Sequence, residues 1–220
     1  MIEMKKLVIF DLDGTLLDTL GDLADSVNFA ITSCGYAEKT VEEVKSFIGN
    51  GTKKMIERAL GDGADEQTVA ACIAKFADYY KDHYNVKTRA YGGVHRCIDM
   101  LRKNGVRVGV VTNKLHDISV ALCREHFGEV FDSVIGDLPG LARKPDPSKV
   151  KSMMAEFCCE QAIMVGDSDV DIKTAKNAGI PCVALSWGFN SRERLIAAAP
   201  EYIADTSDQL ENILKELLSL

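Results

Sequence analysis

From Tyr91 onward, short apolar runs alternate with stretches whose apolar residues recur at helical spacing. A helix around "VHRCIDMLRKNG" precedes the strand "VRVGVVT", and a second helix runs from His116 to about His126. The strand "FDSVIG", the loop "ARKPDP" and a helix from near Ser148 follow. Next come the strand "AIMVGD", the helix "DIKTAKNAG" ended by Gly179 and Pro181, and the strand "PCVALS". Strands separated by helices require right-handed crossovers, and so a parallel sheet covered on both faces. The apolar run Lys6 to Phe10 has the same character and joins that sheet.

Between Leu20 and Lys87 no strand pattern appears. "LADSVNFAITSCGY" has helical spacing and a stop at Gly35, and Thr40 followed by Glu43 is a capping-box signature. Val69, Cys72, Ile73, Phe76 and Tyr80 form one stripe of an amphipathic helix. The expected architecture is α/β: a parallel-sheet core from residues 1–15 and 88–220, with residues 16–87 as an all-helical insertion.

Composition narrows the class. The 220 residues can build one large domain or two modest ones. A net charge of -7 speaks against a nucleic-acid surface, though a local cationic site can still take an anionic substrate. No apolar run reaches the ~18 residues of a membrane span. The opening "MIEMKKLVIF" runs into acids rather than a cleavage site, so a signal peptide is not expected. Seven scattered cysteines without a Cys-x-x-Cys read as reduced thiols of a cytoplasmic protein, not as metal ligands.

Ligands of such sheets bind beyond the carboxyl ends of the strands. Here those ends are Asp11/Asp13, Thr112/Asn113/Lys114 and Gly166/Asp167, with Asp171 four residues on. Several carboxylates without histidine or cysteine suit Mg²⁺, which keeps waters and completes its shell from phosphate. Asp167 alone would also serve as a helix N-cap. The Thr112 hydroxyl can donate to a phosphate oxygen, and Lys144, in a loop stiffened by Pro145 and Pro147, is a fixed positive charge.

"DLDGT", "VVTN", "KPDP" and "GDSDVD" stand in this order along the chain. Together they resemble the four motifs of the haloacid dehalogenase superfamily, and within it the phosphoglycolate phosphatase branch. "FIGNGTKKMIERAL" and "SWGFNSRERLIAAAPEYIADTSDQL" resemble that branch's cap and C-terminal segments. The resemblance implies a Rossmann-like core with a helical cap domain. By resemblance, Asp11 is the nucleophile that forms an aspartyl-phosphate, and Asp13 is the acid for the leaving alkoxide and then the base for water. Mg²⁺ would be held by the Asp11 and Asp167 carboxylates and the Asp13 carbonyl, with Asp171 ordering a metal water. Lys144, Thr112 and backbone amides near Gly14 and Asn113 would neutralise the transferring oxygens.

Related chemistries are distinguishable within the resemblance. The dehalogenases lack the second aspartate, present here as Asp13. Family phosphonate hydrolases use a cap lysine, a residue type that Lys53 and Lys54 provide, but their first motif differs. The β-phosphoglucomutases carry a cap histidine twelve residues after the nucleophile, where this chain has Leu23. A binding or regulatory protein would be expected to lose Asp11 or Asp13. His83, His95, His116 and His126 fall on helical stretches and read as ordinary helix residues, and Trp187 reads as packing beside the sheet edge. A small phosphorylated metabolite is therefore the expected partner, with neither nucleic acid nor membrane. Gly49, Asn50, Gly51, Thr52 and Lys53 are the candidates for contact with its organic part, where a lysine suits a carboxylate. Pyrophosphate, sugar phosphates and nucleotides stay open.

Overall fold

The computed structural model describes residues 5–220; Met1 to Met4, the first part of the stretch read above for a leader, lie outside the described residues. The chain divides into two compact units, one holding the chain up to Leu17 together with Ala90–Leu220, the other Asp18–Arg89.

In chain order the elements begin with β1 (Lys6–Phe10) and β2 (Leu17–Asp18), then α1 (Leu20–Thr32), α2 (Val41–Phe47), α3 (Thr52–Leu60) and α4 (Glu66–His83). β3 (Arg89–Ala90), α5 (Val94–Lys103), β4 (Arg107–Leu115), α6 (His116–Phe127) and β5 (Ser133–Asp137) follow. The last part holds α7 (Ser148–Glu156), β6 (Gln161–Gly166), α8 (Asp169–Ala178), β7 (Cys182–Leu185), α9 (Arg192–Ala197), β8 (Tyr202–Ala204) and α10 (Ser207–Leu218).

Six strands form one parallel sheet in the order β5-β4-β1-β6-β7-β8, while β2 and β3 pair separately. β1 lies between β4 and β6 and is buried on both faces, as its unbroken apolar run requires. On one face Leu7 and Ile9 pack with Val150 and Met153 of α7 and with Ile172 and Ala175 of α8. Val8 and Phe10, pointing to the other face, are equally inaccessible. The chain leaves β1 for β4 and β5 on one side, then returns to β6 on the other. This reversal of strand order is where open α/β sheets leave a crevice at their carboxyl ends.

β4 departs from the expectation at Thr112. The strand continues to Leu115, but its register against β5 slips between Val111 and Leu115. Thr112, Asn113 and Lys114 thus occupy an irregular stretch inside the strand rather than its end. The C-terminal β8, α9 and α10 have no counterpart in the pattern reading. They are short or amphipathic, and only the sheet edge gives β8 a partner.

The unit Asp18–Arg89 contains four helices. The Thr40–Glu43 capping box is formed, and the apolar stripe of α4 buries Val69, Cys72, Phe76 and Tyr80, with Ile73 only half-buried. α1 ends at Thr32, and Gly35 sits with positive φ in the turn after it. Leu23 is buried within this unit, an apolar packing role. Among the described residues, no helix is long and apolar enough to cross a membrane.

Candidate active site

Asp11 continues the sheet by one residue, since its N–H donates to Val165 O at 2.9 Å. The chain then turns tightly, with the N–H groups of Leu16 and Leu17 donating to Leu12 O. That turn points the Asp11 carboxylate across the sheet edge toward the end of β6. There Asp167 follows the strand, and Ser168 rather than Asp167 caps α8. With the cap role taken by Ser168, Asp167 faces the site.

One oxygen from each of Asp11, Asp167 and Asp171 can be chosen so that all three lie within 4.8 Å of one another, and all three residues are buried. Lys144 sits among them, its Nζ 2.9 Å from Asp11 Oδ1 and 2.6 Å from Asp171 Oδ1. Asp171 spends its other oxygen on Ser168, accepting from the backbone N–H at 3.1 Å and from Oγ at 2.6 Å. Asp167 accepts from Phe189 N at 2.6 Å and from Thr15 Oγ1 at 3.2 Å.

Three carboxylates against one ammonium leave an excess of negative charge in a desolvated place. Burial, then the neighbouring Asp171 charge, pushes the Asp11 carboxyl up to about 6, against the opposing pull of Lys144. Burial and the charges of Asp171 and Asp11 hold Asp167 well above the usual carboxylate range. Burial alone would lower Lys144, but the Asp11 and Asp171 carboxylates more than offset it and raise the ammonium above its ordinary value. A hard divalent cation with oxygen ligands fits this donor set and would relieve the repulsion.

Asn113 and Gly14 lie against this centre, and Thr112 precedes Asn113 in β4. Asn113 clamps the Lys144 loop: its Oδ1 accepts from Lys144 N at 2.8 Å, and its Nδ2 donates to Lys144 O at 3.0 Å. Thr112 is buried, and its Oγ1 accepts from Lys114 N at 3.3 Å, a bond that does not use the hydroxyl proton. Gly14 departs from the expectation for its amide, which donates to Leu17 O at 2.9 Å inside the turn. Its lack of a side chain serves Asp167 instead: with φ at +77°, a Cβ there would collide with the Asp167 carboxylate.

Gly49 to Lys53 belong to the helical unit. Gly49, Asn50 and Gly51 lie in the α2–α3 connection, where both glycines have positive φ, and Thr52 and Lys53 begin α3. Arg58 secures the connection by donating to Phe47 O and to Asn50 Oδ1, while Lys53 lies 3.8 Å from Glu57.

Three contributors have no role in the sequence reading. Lys114, noted there only as a strand-exit residue, pairs with Asp13 Oδ1 at 2.8 Å. Gly188 has no room for a side chain beside Asp167 and Gly14. Phe189 acts through its backbone N–H, which no residue type advertises. Trp187 is not merely edge packing, because its Nε1 donates to Thr15 O at 3.4 Å in the turn after Asp11.

Residues 8–185 match the family model of haloacid dehalogenase-like hydrolases. Phosphoglycolate phosphatase 1 of Pseudomonas aeruginosa is 35% identical over 210 residues, covering 92% of this chain and 77% of the relative. The phosphoglycolate phosphatase of Aliivibrio fischeri is 32% identical over 97% of this chain and 98% of its own length. Among solved structures, a provisionally assigned phosphoglycolate phosphatase from Lactobacillus delbrueckii subsp. bulgaricus superposes with a TM-score of 0.90 at 30% identity, covering 96% of this chain and 98% of that one. The chain belongs to the haloacid dehalogenase-like hydrolases. Within that family it is a phosphatase of the phosphoglycolate phosphatase-like kind.

Proposed function

We propose that the protein hydrolyses a small phosphate monoester in a Mg²⁺-dependent reaction through an aspartyl-phosphate on Asp11. The observation that carries this reading is the buried Asp11 carboxylate, gripped by Lys144 within a cluster of excess negative charge. Asp11 attacks phosphorus, so the ester P–O bond breaks as the Asp11–phosphorus bond forms. Asp13 gives a proton to the departing alkoxide, then takes one from the water that cleaves the intermediate. The Lys144 ammonium and the Thr112 hydroxyl balance charge on the transferring oxygens. Asn113 holds Lys144 in place for that task.

The Asp11 and Asp167 carboxylates and the Asp13 carbonyl would hold the cation, and Asp171, which orients Lys144, would order a water of its shell. Once bound, the cation supplies charge neutralisation for the carboxylates and the phosphoryl group. The names of the relatives make phosphoglycolate the first substrate to test, with Lys53 of the Gly49–Lys53 segment proposed to recognise its carboxylate.

Asp11→Asn should abolish Mg²⁺-dependent phosphate release, and unchanged turnover would refute the nucleophile assignment. EDTA should silence the wild type. Comparing kcat/KM for phosphoglycolate, pyrophosphate and sugar phosphates ranks the substrates; interconversion of sugar phosphates without net phosphate release would favour a mutase instead.

A further inference from the structure

Lys114 is a buried cation outside the four motifs. Its side chain is only 4% exposed, and its Nζ lies 2.8 Å from Asp13 Oδ1. Desolvating an ammonium is costly, and a buried pair is weak evidence of a stabilising role. As a staple this pair is redundant, because β1 and β4 are already neighbours along Leu7–Phe10 and Arg107–Val110. The backbone gives up regular register between Val111 and Leu115, the stretch that carries Lys114. Thr112, Asn113 and Lys114 are all buried within it.

The two lysines divide the acids between them. Lys144 serves Asp11 and Asp171, whereas Lys114 grips Asp13.

We infer that Lys114 is a positioning residue for leaving-group protonation, fixing the Asp13 carboxyl by Oδ1 so that Oδ2 is presented to the departing oxygen. The inference rests on the reading of Asp13 as the leaving-group acid. A freely rotating carboxyl would present the proton in the correct place only part of the time, and positioning governs proton transfer of this kind. Lys114 itself touches neither phosphorus nor the leaving group in this role.

The test compares kcat/KM of the Mg²⁺-loaded enzyme for phosphoglycolate, whose alkoxide needs a proton, and for 4-nitrophenyl phosphate, whose phenolate does not. Lys114→Met should lose about 100-fold on phosphoglycolate and less than about tenfold on the aryl ester. Lys114→Arg, which keeps a cation on Oδ1, should recover most of the loss. An equal loss on both esters would overturn the inference and make Lys114 a cation acting on the phosphoryl group. Asp13→Asn separates the two levels. If it shows the leaving-group split and Lys114→Met does not, only the positioning role fails; if it shows none, the acid reading fails and takes the inference with it. Should the Met variant not fold, Lys114→Gln carries the same comparison.

Discussion

A single residue, Asn113, shows how the site spends its polar groups. Its amide accepts from and donates to the backbone of Lys144, the residue whose ammonium spans Asp11 and Asp171. Asn113→Ala removes both bonds inside a buried region. It should cost about 1–3 kcal/mol in chemical denaturation, with a fall in kcat from the loosened Lys144. The carboxylates make a second prediction at this scale. Asp11 ionises near 3.8 in an unfolded chain but at about 6 in the metal-free fold. Across that window the native state holds the extra proton, so this group's contribution to stability falls as pH rises and levels off above about 6. Asp167 is shifted in the same direction. A cation requires both groups ionised, so its binding releases protons and weakens below about pH 6. The Tm difference between Mg²⁺ and EDTA samples should be larger at about pH 7.5 than at about pH 5; an equal difference would refute the coupling.

At the scale of elements, the chain after β1 delivers Asp11 and Asp13, the irregular stretch of β4 delivers Lys114, and the loop between β5 and α7 delivers Lys144. The end of β6 and the start of α8 deliver Asp167 and Asp171, and the loop after β7 closes on Asp167. Gly188 of that loop packs where a Cβ would meet both the Asp167 side chain and Gly14 O. Gly188→Ala must displace Asp167, so it should weaken Mg²⁺ activation more than it lowers the Tm in EDTA. Mg²⁺ titration of activity beside thermal melts checks this; wild-type Mg²⁺ dependence would refute it. Asp22 at the start of α1 makes a different kind of joint. Its buried carboxylate accepts from the N–H groups of Val86, Lys87 and Thr88 and from Thr88 Oγ1, tying both ends of the helical unit together. Asp22→Ala strands those donors and should cost about 1–3 kcal/mol or more, read from the denaturation midpoint.

At the scale of the whole molecule, a helical unit of Asp18–Arg89 is inserted into an α/β unit after its first strand. The alternation from Tyr91 onward made the parallel sheet legible, because strands buried on both faces must read as continuous apolar runs. β1 was legible for the same reason, down to its bounds. The acids were legible because they interrupt that apolar pattern at strand ends, and a buried charge at such a place needs a partner. Lys114, Gly188, Phe189 N–H and the diversion of the Gly14 amide were not legible. Each depends on which segments meet at the sheet edge, a matter of register and loop path that residue type does not encode. The sequence by itself determined the fold class, the strand ends and the chemical kind of the site. The tertiary structure alone decided which lysine serves which aspartate, because distances of 2.6–2.9 Å between Asp11, Asp13, Asp171 and their lysines arise only when chain segments well separated in sequence, 27 residues apart for Lys144–Asp171 and 101 for Lys114–Asp13, are packed together.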